Sequence, residues 1–337
     1  MSGQESNSGW YTIMDNLKLA AVVIGRNEGE RLKACLNSLK AYCDSIVYVD
    51  SGSSDDSIAF AKALGVTTVE LDSNQFFSAA RARNAGFNAL MSSGSPDIVQ
   101  FVDGDCLVTA NWLKAGHAAL ATNPALGLVT GWRSELHPDM SIYNAMCDVE
   151  WHRPAGKITT CGGDMMVRTH AFQQVGGFNP AVIAAEDDEF CLRLGKAGWE
   201  LQRLPMLMTR HDANMTSFRQ WWKRSIRNGH GFAQVGTMHP PHLRIEQFRV
   251  WFYGLVLPVL SALGLATVGL PALMLLLLYP ISFLRTAAKL IGSGLIRSQA
   301  LGHAALLTIS KFPNLIGMLT YHYRRWAGRN IQIIEYK

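Results

Sequence analysis

Two carboxylates separated by one glycine, Asp103-Gly-Asp105, end the apolar run Ile98-Val-Gln-Phe-Val102. Side chains two apart on a strand share a face, so Asp103 and Asp105 can converge where the strand stops. Adjacent carboxylates repel unless a cation or a proton sits between them. Oxygen ligation suits Mg²⁺ or Mn²⁺, which complete their shells with water and substrate phosphates. Taken alone, such a pair is usually a solvated acidic turn, and it gains meaning only from its surroundings. Further on, Glu186-Asp187-Asp188-Glu189 sets four carboxylates at the start of an apparent helix. The helix dipole explains part of this, and the crowding raises the pKa of at least one of them, as a general base requires. His211, in Met208-Thr-Arg-His-Asp212, either lends a nitrogen to a cation or is structural.

These residues need elements to position them. Leu19-Ala-Ala-Val-Val-Ile24 is a continuous apolar run, as in a strand buried on both faces. It breaks at Gly25-Arg26-Asn27-Glu28 and leads into a helix with Leu32, Cys35, Leu36 and Leu39 on one face. A second strand over 46–49 ends at Asp50, with Ser54, Asp55 and Asp56 suited to the first turn of the next helix. A third strand is expected over 66–71, a helix over 77–91 capped by Ser78, then the strand carrying Asp103. A helix over 111–122 and a short strand over 127–130 follow, and 132–158 is less regular, with a helix over 143–151 and no chemistry assigned to its residues. This alternation specifies an α/β fold with a doubly wound, mostly parallel, Rossmann-like sheet. Right-handed crossovers put the strand-end loops on one edge, where Glu28, Asp50 and Asp103 fall together. Such a trio suits a nucleotide-like ligand, whose hydroxyl and N–H groups donate to carboxylates. Singly, Glu28 and Asp50 are equally well explained as helix caps.

Composition narrows the class. Charged residues make up 17% of the 337, against roughly 25% in ordinary soluble domains, and the deficit is local. No charge occurs from Val250 to Leu284. The net charge of +5 gathers after Arg203, where Lys and Arg recur beside aromatic and aliphatic residues. That pattern fits membrane lipids or phosphates, and no nucleic-acid-binding motif is present. Six scattered cysteines without Cys-X-X-Cys fit a reducing compartment, and residues 1–17 read as a flexible N-terminus without a secretory signal.

The stretches Val23-Ile-Gly-Arg-Asn-Glu28, Val49-Asp-Ser-Gly-Ser-Ser-Asp55, Ala80-Arg-Ala-Arg-Asn-Ala-Gly86 and Val102-Asp-Gly-Asp105 resemble, in order and spacing, the signatures of family-2 glycosyltransferases, inverting enzymes of the GT-A fold. The resemblance covers about residues 18–235. It implies that Glu28 and Asp50 hold the nucleoside and that Asp103 and Asp105 hold a divalent cation on the diphosphate. The family often has a second Asp where this chain has Ser51, which leaves the base undetermined. An Arg in the crevice would bind phosphate, and Arg81 and Arg83 cannot both face it. The resemblance selects Arg83, beside Asn84, and leaves Arg81 as a surface charge. Gly162 and Gly163 allow close backbone approach, and by resemblance lie under the sugar and acceptor, with Asp164 within reach of a sugar hydroxyl. The Glu-Asp motif implies Asp187 as base, flanked by Glu186 and its rival Asp188. In Phe218-Arg-Gln-Trp-Trp-Lys-Arg-Ser-Ile-Arg227, which faintly resembles a Gln-X-X-Arg-Trp element, Arg224 and Arg227, with His230, either neutralise a departing diphosphate or anchor a helix at lipid headgroups.

The uncharged run, broken by Pro258, Pro271 and Pro280, is expected as a re-entrant hairpin over about 250–284, or as one tilted span. Basic residues on both flanks favour the cytoplasmic side for each end. Segments 291–309 and 312–323 read as amphipathic interfacial helices, so residues 236–337 form a membrane-associated helical region. A soluble core helix is the alternative for the run. The whole reads as an inverting, metal-dependent enzyme at the cytoplasmic face of the inner (plasma) membrane, moving a sugar from a UDP- or GDP-linked donor to a lipid-linked glycan acceptor. The rival classes are a non-catalytic nucleotide-binding membrane scaffold, which the intact carboxylate motifs oppose, and nucleotidyl transfer, whose Gly-rich Lys loop is missing after the first strand.

Overall fold

The computed structural model describes residues 17–328; the expected N-terminal segment 1–17 lies outside them apart from Leu17. The first of two compact units comprises residues 17–136, 150–180 and 186–213. It opens with β1 (Leu19–Gly25), α1 (Glu30–Lys40), β2 (Ser45–Asp50), α2 (Ser57–Ala63), β3 (Thr67–Glu70), α3 (Ala79–Ser93) and β4 (Ile98–Asp103). β1 is buried from Leu19 to Ile24, as a continuous apolar run requires in a sheet covered on both faces. The expected Ser78 cap is present: its Oγ accepts from the Arg81 amide at 3.2 Å.

Parallel pairing aligns Gly25 with Asp50 on one side of β1 and Ile24 with Asp103 on the other. Both acidic residues therefore stand at the carboxyl ends of strands flanking β1. Beyond β4 the sheet is mixed. β5 (Cys106–Val108), α4 (Ala110–Thr122), β6 (Leu126–Glu135), β7 (Gly156–Lys157), β8 (Met165–Arg168), α6 (Thr169–Gln174), α7 (Glu186–Lys196) and β9 (Glu200–His211) complete the unit; α5 (Ile142–Trp151), which follows β6 in the chain, belongs to it only from Glu150 on. The strand order is β3-β2-β1-β4-β8-β6-β9-β5, with β7 on β9. β8 enters antiparallel to β4 and β6, which local periodicity could not reveal. β6 is ten residues long, reaching well beyond the short strand expected at 127–130.

Close packing of α3 on the sheet depends on Gly86, where a Cβ would meet Val22 Cγ1 at 2.4 Å and Val49 Cγ2 at 2.9 Å. The second unit comprises residues 137–149, 181–185 and 214–328. In it, α8 (Phe218–Met238) starts with a capping box in which Ser217 Oγ accepts from the Gln220 amide and Gln220 Oε1 accepts from the Ser217 amide. Gln220, singled out by its resemblance to a longer motif, is thus committed to the helix start. α9 (Arg244–Trp251), a π-helical turn (Phe252–Val256), α10 (Leu257–Thr267), a 3₁₀ stretch (Leu270–Leu277), α11 (Leu278–Gly292), α12 (Arg297–Ile309) and α13 (Lys311–Trp326) follow.

α8 and α13 approach to backbone contact: a Cβ on Gly229 would lie 2.0 Å from Asn314 O, and one on Gly317 2.0 Å from Ile226 O. The expected boundary after residue 235 thus falls inside α8, which packs with the C-terminal helices. Two continuous helical stretches, Arg244–Thr267 and Leu270–Gly292, are long and apolar enough to cross a membrane by length and composition. Only 22% and 6% of their apolar windows are buried, which does not suit the core helix of a soluble protein.

Gly86→Ala is expected to destabilise the first unit by about 1–3 kcal/mol through overpacking against Val22 and Val49. Urea unfolding followed by tryptophan fluorescence would read this as a lower midpoint.

Candidate active site

Arg83 is the pivot of the first unit's sheet edge. It is 2% exposed, and its guanidinium donates to Glu186 Oε1 at 2.7 Å and to Asp103 Oδ1 at 2.8 Å while lying over the Phe178 ring. One cation thus joins the strand-end aspartate to the start of α7. Burial alone would raise the Asp103 carboxyl, but Arg83 and then Arg133 outweigh it and hold it below the usual carboxylate range. Gly163 is a glycine because a Cβ there would fall 2.1 Å from Arg83 Nη2. Asn84, next on α3, donates to Phe178 O at 2.7 Å and accepts from its amide at 2.9 Å, so the Phe178 ring under the guanidinium is itself fixed. Arg81 instead ties its own loop, donating to the carbonyls of Asp72, Gln75 and Phe76.

The four carboxylates of α7 divide by partner. Glu186 is taken by Arg83, and Glu189 by a bidentate pair with Arg193 at 2.7 Å. Asp187 Oδ1 accepts from the Asp188 amide at 2.9 Å, and its Oδ2 lies 3.9 Å from where a Cβ on Gly162 would be. Burial first, then the Glu186 and Asp188 carboxylates, push Asp187 up to about 8, with Arg83 pulling the other way.

On the other side of β4, register assembles a second cluster. β5 pairs antiparallel with β9, setting Cys106 opposite His211, and β6 sets Glu135 opposite the same His211. Asp105 Oδ2 lies 3.3 Å from His211 Nε2, and ligand atoms of Asp105, Cys106 and His211 come within 4.8 Å of one another. Two donors on one octahedral ion with bonds of about 2.1 Å lie roughly 3 Å apart, so this carboxylate and imidazole fit a shared Mn²⁺ or Mg²⁺. Glu135, 4.0 Å from His211 Nδ1, and the edge-on Trp151 ring flank the imidazole. Burial would lower the His211 pKa, but Asp105 and Glu135 outweigh it and the net shift is upward. Asp103 stands outside this cluster, its carboxylate held by Arg83.

Glu28 pairs with Arg31 at 2.7 Å, and its Cγ is 3.4 Å from a Cβ position on Gly104, between the two aspartates. Asp50 is 1% exposed and committed to its own turn, with Tyr48 Oη donating to one oxygen and the Gly52 and Ser53 amides to the other. Asp164 is likewise committed: it accepts from the Asp103 amide and Thr209 Oγ1 and is ion-paired with Arg133, so it braces the site where a sugar contact was expected. Arg224 and Arg227 are half-buried on α8, in the second unit. His230, grouped with them from sequence, is fully buried edge-on to Tyr321, and burial, then Arg324, lower it to about 4, so it is a neutral packing residue. Sequence reasoning passed over Arg133, Glu135 and Trp151, in the stretch given no chemistry. The available signal was the Arg133/Glu135 spacing of two, which puts both on one strand face.

Residues 21–172 match the family described as Glycosyl transferase family 2, and residues 143–217 match one described as N-terminal domain of galactosyltransferase. A pre-mycofactocin glycosyltransferase from Mycobacterium tuberculosis is 27% identical over 239 residues, covering 66% of this chain and 48% of that protein. The chain thus spans about half the length of that curated relative. Glycosyltransferase AglE from Haloferax volcanii is 26% identical over 231 residues, covering 65% of this chain and 74% of that one. Among solved structures, the mannosyltransferase PcManGT from Pyrobaculum calidifontis, in complex with GDP-Man and Mn²⁺, superposes with a TM-score of 0.60 at 16% identity, over 92% of this chain and 88% of that one. Residues 21–172 are thus similar to Glycosyl transferase family 2, and the fold is of the GT-A type.

Proposed function

We propose that this protein transfers a sugar from a UDP- or GDP-linked donor to an acceptor hydroxyl with inversion, using Asp187 as general base and a divalent cation at Asp105 and His211, with Asp103 alongside. The observation that carries the reading is Asp187. Of the four carboxylates opening α7, it directs an oxygen at Gly162 and has its proton affinity raised into the range of a working base. Its carboxylate takes the proton of the acceptor hydroxyl as that oxygen bonds to the anomeric carbon. The bond from that carbon to the diphosphate breaks, and the nucleoside diphosphate leaves with the electron pair. Arg83 keeps Glu186 and Asp103 paired throughout, so Asp187 remains the basic member of its group. When bound, Mn²⁺ or Mg²⁺ supplies positive charge against the diphosphate. Glu28 and Asp50 border the nucleoside side of the crevice, and Arg224 and Arg227 lie on the basic helix α8.

The acceptor is lipid-linked, such as a polyprenyl-diphosphate glycan of cell-envelope or exopolysaccharide synthesis. Two exposed apolar helical stretches support membrane association, and the basic residues flanking the uncharged run favour the cytoplasmic face of the inner membrane.

Asp187→Asn removes the proton acceptor while leaving size and packing alone. Turnover, read as nucleoside diphosphate released from a UDP- or GDP-sugar, should fall about 10²–10⁴-fold with nucleotide affinity unchanged. Undiminished turnover removes Asp187 from the role. A base must be deprotonated to act, so kcat/KM should climb about tenfold per pH unit and level off above about 8, a limb that Asp187→Asn abolishes. His211→Ala should weaken Mn²⁺ binding, followed by electron paramagnetic resonance of the free ion, by at least about tenfold.

A further inference from the structure

Arg133 is built into the site and has no role in the reading above. It stands on β6, aligned with Thr209 of β9, two residues from Glu135. Burial would discourage its charge, but Asp164 and Asp103 around it keep the guanidinium a permanent cation. Its partners among the described residues are Asp164 at 2.9 Å and Asp103 at 4.0 Å, both met through Nη2, together with the face of Trp151, whose ring centroid is 5.3 Å away. Nε and Nη1 donate to no protein acceptor among the described residues. The side chain keeps 15% of its surface open. A methyl group on Gly162 would stand 3.8 Å from Arg133 Nη2 and 3.9 Å from Asp187 Oδ2, so cation and base flank the same point of the Gly-Gly backbone.

Guanidinium donors aimed at one place recognise oxyanions better than hydroxyls, because two N–H groups can meet two oxygens of a phosphoryl group. Asp164 and Trp151 fix the orientation and so lower the cost of binding. Of the two sides of an inverting transfer, Asp187 serves the acceptor. Arg133 stands with Asp103 on the β4 side, where the donor's diphosphate belongs.

We infer that Arg133 is a substrate-binding residue that donates to the diphosphate oxygens of the sugar donor and of the departing nucleoside diphosphate. The inference rests on the proposed glycosyl transfer. It gives the developing negative charge a protein cation from within the first unit, independent of Arg224 and Arg227. Asp164 is then a positioning residue, bracing Arg133 from one side while receiving the Asp103 amide and Thr209 hydroxyl.

The test is nucleotide binding to the full-length protein by isothermal titration, using UDP, GDP, UMP and GMP with Mn²⁺ and again with EDTA. Arg133→Ala should lose about tenfold or more in affinity for whichever diphosphate binds, under both conditions, while the matching monophosphate changes less than about twofold. Arg133→Lys keeps the charge opposite Asp164 and guards against misfolding, but it loses the bidentate fork. It should still lose several-fold in diphosphate affinity, and millimolar guanidinium should partly restore turnover to Arg133→Ala. If both variants bind the diphosphate as the parent does, or lose mono- and diphosphate equally, the assignment of Arg133 fails and the proposed transfer stands. If the parent protein binds neither diphosphate, the transfer reading and this inference fall together.

Discussion

A guanidinium sealed inside a protein must be paired, and in this chain nearly everything at the sheet edge follows from how Arg83 is paired. Stripping water from a charge costs several kcal/mol, which only close, well-oriented partners offset. Arg83 finds two, Asp103 at the end of β4 and Glu186 at the start of α7, residues 83 positions apart in sequence. The bond is mutual, because without the cation two carboxylates would face each other across a dry gap. This explains why Gly163 carries no side chain and why Asn84 spends its amide fixing the loop beneath the guanidinium. It also sets the chemistry next door. Burial, then the Glu186 and Asp188 carboxylates on either side, raise the proton affinity of Asp187, while Arg83 pulls it down only in part.

The second cluster is a product of sheet registration. β5 is three residues long and would have little reason to form alone. Its pairing with the end of β9 closes the sheet edge and brings the residue after Gly104 against His211. β6 supplies the other wall, and its register shifts near Thr130, Trp132 and Arg133 turn the strand so that Arg133 and Glu135 border this cluster. Asp164 locks the two clusters together by accepting from the Asp103 amide on one side, and from Thr209 while ion-paired with Arg133 on the other. Asp187, Asp105, His211 and the two arginines are thus held next to hydrogen-bonded strands and a helix start, which confines them more tightly than flexible loops would.

The first hundred residues were legible because parallel strands obey local rules. Apolar runs mark β1, β2 and β4, turn residues mark their ends, and handedness puts Asp50 and Asp103 on the same edge without knowledge of anything distant. Asp187 was reachable for a similar reason, since the helix start is written in its acidic run. Arg133, Glu135 and the bracing role of Asp164 depended on the antiparallel insertion of β8 and on bulges in β6. Neither leaves a trace in a window of sequence, because the paired strand residues lie 37 to 76 positions away. Asp50 shows a different limit. Its place was found, yet its hydrogen bonds to Tyr48, Gly52 and Ser53 show a residue that shapes the loop.

In the apolar region the helices do not coincide with the charge-free run. Counting only the uncharged residues gives a segment too short for two comfortable crossings. The helices extend past it at both ends, taking in Arg244 to Arg249 and Arg285 to Lys289, and proline breaks the run only where a turn already occurs. Pro258 sits in the first turn of α10, after a π-helical turn that absorbs its missing amide, and Pro271 opens the 3₁₀ stretch. Long basic side chains can reach out to headgroups while their stems stay in hydrocarbon. Charge at the ends of these helices therefore marks where the uncharged surface stops, and the helices themselves run on beyond that point.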